Sequence, residues 1–152
     1  MNILIIGYGN PLRGDDGVGW RVAEAVAAAL PDAVADVLTV HQLTPELAEP
    51  ISRAERVIFI DAAAEGKPGA VRCFALEGAG RQPALQGSHL TTPDALLGMA
   101  AGLFGRCPPA HMVTVVGESF ELSESLSPTV EAATIEAIAR VLELATSHDP
   151  LR

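Results

Sequence analysis

The sequence predicts an α/β fold: a three-layer sandwich in which a twisted, mostly parallel five-stranded sheet with one antiparallel strand lies between helices on both faces. Three observations carry this. Met1-Asn2-Ile3-Leu4-Ile5-Ile6 and Arg56-Val57-Ile58-Phe59-Ile60-Asp61 are apolar runs without alternation, the pattern of strands covered on both faces in a parallel sheet. Strand-like and helix-like segments alternate from Met1 to Asp61, as parallel pairing through right-handed crossovers requires. The first run also ends in a glycine-rich turn, Gly7-Tyr8-Gly9-Asn10-Pro11-Leu12-Arg13-Gly14-Asp15-Asp16-Gly17-Val18-Gly19, which sets two adjacent carboxylates where a helix begins. In such sheets ligands sit at this edge.

The elements follow in order. Residues 17 to 30 read as a helix with Val18, Val22, Ala25, Val26 and Ala29 on one face, stopped by Pro31, with Asp15 or Asp16 near its N-cap. Residues 33 to 40 are a second strand, and Thr44 to Glu49 a short helix capped by Thr44 with Pro45 in its first turn. The third strand, Arg56 to Asp61, then brings Asp61 to the same edge as Asp16 and His41. Residues 70 to 76 make a fourth strand, whose link through Gly66-Lys67-Pro68-Gly69 is too short for a helical crossover, so it is antiparallel. A loop from Glu77 to about His89 is long enough to be functional. A helix from Pro93 to about Leu103 starts after Thr91 or Thr92, and Val113 to Gly117 is a fifth strand preceded by His111 at the opposite edge. Pro128 to about Ala145 is a closing amphipathic helix capped by Ser127, with Val130, Ala133, Ile138, Val141 and Leu142 inward. One domain over residues 1–146 and a loose tail at 147–152 are expected.

Composition narrows the function classes. With 152 residues and 49% hydrophobic content the chain can bury a full core. Ten Lys and Arg against nineteen Asp and Glu, a formal charge of −9, argue against nucleic acid or an anionic membrane as the main partner and favour a basic partner or a metal ion. Cys73 and Cys107 are far apart and fit neither a disulfide scaffold nor a cysteine zinc site. The first apolar run has no basic region ahead of it and is too short for a signal or a membrane span, so a cytoplasmic protein is expected.

Asp16, Asp61 and His89 converge on one edge. Two carboxylates and an imidazole can bind a transition metal and leave coordination positions open. Each also has a plain explanation: a helix cap, a solvated strand end, a loop histidine. Other chemistries fit less well. A dinucleotide fingerprint needs glycine where Leu12 stands, and two aspartates at a helix start repel a pyrophosphate. There is no His-Glu-x-x-His for zinc. Gly117-Glu118-Ser119-Phe120-Glu121 lacks the second glycine of a nucleophile elbow, and the only later histidine is His148.

These residues carry a resemblance. Gly7-x-Gly9-Asn10-x-Leu12-x-x-Asp15-Asp16-Gly17-x-Gly19, the strand ending in Asp61-Ala62, the loop histidine His89, and Val116-Gly117-Glu118 followed by Leu126-Ser127-Pro128-x-Val130 are together similar to the hydrogenase maturation endopeptidase family. The match spans nearly the whole chain in the same order. The resemblance implies removal of a C-terminal extension from a nickel-iron hydrogenase large-subunit precursor once nickel has been inserted, and a twisted mixed five-stranded sheet between helices. It maps the family's nickel-sensing residues onto Asp16, Asp61 and His89, with nickel presented by the precursor rather than held permanently. Some members have Glu at the position of Asp16. His41-Gln42-Leu43 departs from the Asp-Gly-Gly-Thr-like segment of many members and resembles those acting on bidirectional, NAD-linked hydrogenases, which makes it a substrate-specificity candidate. A monomer is expected. In one mechanism the substrate's metal recognises or polarises the peptide; in another a carboxylate activates water. A nickel-binding chaperone or sensor without cleavage, and a small hydrolase with a resident metal, are the alternative functions.

Overall fold

The computed structural model describes residues 2–77 and 91–147. The strands are β1 (Ile3–Tyr8), β2 (Ala35–Val40), β3 (Arg56–Ala63), β4 (Val71–Leu76) and β5 (Ala110–Val116). The helices are α1 (Val18–Ala29), α2 (Ala48–Arg53), α3 (Pro93–Phe104) and α4 (Pro128–Thr146). The sheet order is β2-β1-β3-β5-β4, with β4 antiparallel to β5 and every other pair parallel. The chain steps from β1 outward to β2, then returns across β1 to β3. That reversal makes the crevice between the ends of β1 and β3 a topological switch point.

Two apolar layers sandwich the sheet. On one face Val18, Val22, Val26, Val130, Ala137 and Val141 from α1 and α4 pack on Ile5, Ile58, Ile60, Val113 and Val115. On the other, Ile51, Leu96, Leu97 and Ala100 from α2 and α3 pack on Leu4, Ile6, Val57 and Phe59. Successive central-strand residues serve opposite faces, which is why their runs show no alternation. α1 lies unusually close to the sheet: a side chain at Gly7 would stand 2.2 Å from the Gly19 carbonyl oxygen, and one at Gly19 would stand 2.5 Å from that of Ile60.

Several expectations are corrected in detail. Ala29 is exposed and Ala25 only half-buried; Gly19 and Ala23 complete the buried face of α1 with Val18, Val22 and Val26, because the helix meets the sheet through these small residues, Gly19 against Ile60 and Ala23 against Gly7. The segment after Thr44 is a 3-10 turn at Pro45–Leu47 followed by α2, and the Thr44 hydroxyl donates to the Glu46 carboxylate at 2.8 Å instead of capping backbone N–H groups. β5 begins at Ala110, so His111 is inside the strand and buried, flanked by Ala75 and Ile58. The caps expected at Thr92 and Ser127 are present: their hydroxyl oxygens accept the N–H groups of Ala95 at 3.1 Å and Val130 at 3.3 Å. Ala133, Ile138 and Leu142 face the core, and Cys73 and Cys107 are free, half-buried thiols.

Candidate active site

The parallel register carries Gly7 beside Ile60 and Tyr8 beside Val40, so Tyr8 at the end of β1, Asp61 near the end of β3 and His41 just after β2 lie at the carboxyl edge; β3 does not end at Asp61 as expected but runs on to Ala63, with Asp61 beside Thr114 of β5. The turn after β1 folds back there and delivers Asp16. Gly9 sits at φ 138°, a backbone conformation that L side chains avoid, and a Cβ on it would stand 2.2 Å from the Asp16 carbonyl oxygen. The neighbouring Asn10 N–H donates to Asp16 Oδ2 at 2.7 Å. Asp16 therefore does not cap α1; its half-buried carboxylate is held by the turn itself.

Asp61 accepts the N–H of Ala62 on Oδ1 at 2.8 Å and a hydrogen bond from the Tyr8 hydroxyl. Burial pushes its carboxyl up to about 7; the Ala62 N–H opposes this, the negative charge of Asp16 adds to it, and Tyr8 opposes it. Burial, and then the charges of Asp61 and Asp16, raise the Tyr8 hydroxyl well above its usual range, so it remains a donor at neutral pH. The Tyr8 ring stands edge-on to Phe59, with centroids 6.5 Å apart, which fixes the hydroxyl over the strand end. The result is a carboxyl pair at one edge, one member of which changes protonation near neutrality. Such a pair can do general acid/base work or supply oxygen ligands to a cation.

Asp15 has a different task. It is fully buried, and its carboxylate accepts the N–H groups of Glu118 at 2.8 Å, Ser119 at 3.0 Å and Ser127 at 2.7 Å, together with the Ser127 hydroxyl at 2.8 Å. Burial alone raises such a group. The bonds from Ser127, Glu118 and Ser119 outweigh it and hold Asp15 below the ordinary carboxylate value.

Of the sequence candidates, the structure brings Asp16 and Asp61 together, while His89 lies outside the described residues. Among the described residues no group of three His, Cys, Asp and Glu side chains gathers as a metal site. His41 is exposed and meets Trp20 edge-on at 5.3 Å, the indole N–H donating to the Val40 carbonyl at 3.0 Å. Gln42 is exposed, but Leu43 is buried under the sheet with Leu47 and Ile51, so that third residue is a core residue. Sequence reasoning missed Tyr8, which stands between two glycines and reads as a spacer, and missed the division of labour between Asp15 and Asp16. A cavity of about 400 Å³ opens elsewhere, lined by Leu30, Asp36, Leu38 and Pro50 on the outer side of β2, away from the carboxyl pair.

No family model matches the chain. It is 32% identical to the hydrogenase 2 maturation protease of Escherichia coli (strain K12), over 93% of this chain and 89% of that protein. The crystal structure of a hydrogenase 2 maturation peptidase from a Thaumarchaeota archaeon is 32% identical, covers 96% of this chain and 99% of its own, and superposes with a TM-score of 0.71. The hydrogenase-maturating endopeptidase HybD from E. coli superposes with a TM-score of 0.70 at 29% identity, over 95% of this chain and 91% of its own. At this identity and coverage, with the same fold, the chain belongs to the hydrogenase maturation endopeptidases and is a peptide-bond hydrolase.

Proposed function

We propose that this endopeptidase removes the C-terminal extension of a nickel-iron hydrogenase large-subunit precursor, and that it recognises the precursor by the nickel already inserted. Family membership supports the reaction class. The observation that carries the metal reading is the convergence of Asp16 and Asp61 on the switch-point edge, with Asp61 titrating near neutrality. Oxygen donors from two carboxylates, completed by the imidazole of His89, make an open site that the precursor's own ligands can fill. Nickel in this reading belongs to the substrate. The same pair serves the hydrolysis: Asp61 can hold or release a proton at neutral pH while Asp16 orients its partner, the arrangement that general acid/base hydrolysis of a positioned peptide needs. A monomer acting in the cytoplasm on a protein precursor belongs to this proposal, and the net charge of −9 supports a partner with basic groups.

His41 and Gln42 stand exposed beside this edge and are proposed to help choose the precursor, of the bidirectional, NAD-linked type. The deciding experiment mixes the purified chain with nickel-loaded and nickel-free precursor and follows mass loss at the precursor's C-terminus. Cleavage confined to the nickel-loaded form is expected. Nickel binding with an intact precursor would leave a chaperone or sensor in its place.

A further inference from the structure

Resting on the precursor-processing reading above, we propose that Leu12 and Leu122 are precursor-contacting anchors on a rigid ledge beside the carboxyl pair, shaped for an apolar segment flanked by basic side chains. The two leucines are 51% and 82% exposed, and both belong to segments held tightly in place. Arg13 and Ser123 form a parallel bridge; the Ser123 N–H donates to the Leu12 carbonyl at 2.9 Å and the Ser123 carbonyl accepts the Gly14 N–H at 2.9 Å. Asp15 fastens the same two segments through its N–H to the Ser119 carbonyl at 2.9 Å and through its four carboxylate bonds. One residue back along each segment of this bridge stand Leu12 and Leu122, and the Ser123 N–H bonded to the Leu12 carbonyl brings the backbones that carry them together.

Neither leucine is needed to hold the ledge down. Phe120 packs over Gly117, so closely that a side chain there would stand 2.5 Å from the ring, and Leu126 packs on the core. Two large apolar side chains are thus held in water by a scaffold that is already anchored, and a preformed surface loses little freedom on binding. The ledge is continuous with the site, since Asn10, two residues before Leu12, holds Asp16. Its charge defines the partner further. Glu118, Glu121 and Glu124 are exposed around Leu122, and Arg13 is the only basic residue between Asn10 and Gly17 or between Gly117 and Ser127. Lysine or arginine beside the docking segment complements that charge.

The test measures KM and kcat for nickel-loaded precursor, and its Kd by calorimetry, with the wild type and with Leu12→Ser, Leu122→Ser and the double variant. Loss of two apolar anchors is expected to raise KM and Kd roughly tenfold or more in the double variant. kcat and the melting temperature stay at wild-type values. Raising NaCl from about 50 to about 500 mM should weaken binding, and Glu121→Gln should reduce that salt response. An unchanged Kd and KM in the double variant overturns the proposal, as does a fall in kcat alone. A wild-type dimer in sedimentation that the double variant abolishes also overturns it, assigning the ledge to a second copy of this chain. If the wild type binds the precursor without cleaving it, the processing reading fails while the ledge is still judged by Kd; if it does not bind the precursor, both fail.

Discussion

The Asp15 carboxylate grips Ser127 twice, accepting its backbone N–H on Oδ1 at 2.7 Å and its hydroxyl on Oδ2 at 2.8 Å, across 112 residues of chain. Ser127 is also the N-cap of α4, so one serine joins the turn after β1 to the closing helix.

Asp15→Ala should therefore be among the most destabilising single changes. It leaves three backbone N–H groups without their acceptor, each worth about 1–3 kcal/mol, so a loss of about 3 kcal/mol or more is expected in urea unfolding. The pH dependence has a definite sign. Asp15 is held below its unfolded value of 3.8, so its stabilisation is complete above that value and disappears as pH falls through the lower folded value. Wild type should lose stability more steeply than Asp15→Asn below about pH 4. Parallel acid transitions would contradict the assignment.

Asp61 has the opposite sign. With a folded value of about 7 against an ordinary 3.8, the folded state holds a proton that the unfolded state has released, so Asp61 costs stability as pH rises from about 4 to about 7. Asp61→Asn should gain stability relative to wild type when melts at pH 8 are compared with melts at pH 5, while losing precursor processing. A stability difference that does not change with pH would show that Asp61 is not held protonated.

Asp16→Asn should likewise abolish processing with a melting temperature near wild type, because a half-buried residue at the sheet edge contributes more to function than to core burial, and His89→Ala should abolish processing if its imidazole completes the proposed site. Ser119→Ala and Cys107→Ala should process normally; loss of cleavage in either revives a nucleophilic mechanism.

The close approach of α1 to the sheet gives a paired test. Gly7→Ala places a methyl group 2.2 Å from the Gly19 carbonyl oxygen, and the resulting overpacking should cost about 1–3 kcal/mol and impair cleavage by moving Asp16. Gly102→Ala, in α3 with nothing within 4 Å, should instead stabilise by up to about 1 kcal/mol. A stable, active Gly7→Ala protein would show that the contact can relax.

For precursor choice, the informative swap is His41→Asp with Gln42→Gly, leaving Leu43 in place. Cleavage of the cognate precursor should fall with the melting temperature unchanged. Including Leu43 would confound the result, since truncating a buried leucine costs about 2–5 kcal/mol by itself. Unchanged cleavage by the His41 and Gln42 variant would make the segment a spacer.

The parallel core was legible because burial on both faces writes unbroken apolar runs into β1 and β3, and the reversed direction of β4 was legible from a link too short to cross over. The start of β5 was hidden because His111 interrupts the apolar pattern where the strand is buried. Asp16 and Asp61 could be placed from strand polarity alone. What Asp15 does could not, since its three backbone partners lie more than a hundred residues away and offer N–H groups, which leave no mark in side-chain sequence. The burial of Leu43 was hidden for a related reason: a residue at a strand exit can turn toward solvent or back under the sheet, and its neighbours in sequence do not say which.

The Arg13–Ser123 bridge also has a consequence for timing. Local helices form early, whereas contacts between distant parts of a chain must first meet the entropy of closing the intervening loop. During synthesis Asp16 and Asp61 leave the ribosome well before Glu118 to Ser127, the segment that fastens the turn and lies 103 to 112 residues beyond Asp15. The enzyme cannot complete its site until Glu118, Ser119, Ser123 and Ser127 have been made, so a copy cut short before them carries Asp16 and Asp61 without the clasp that holds the turn around Asp16.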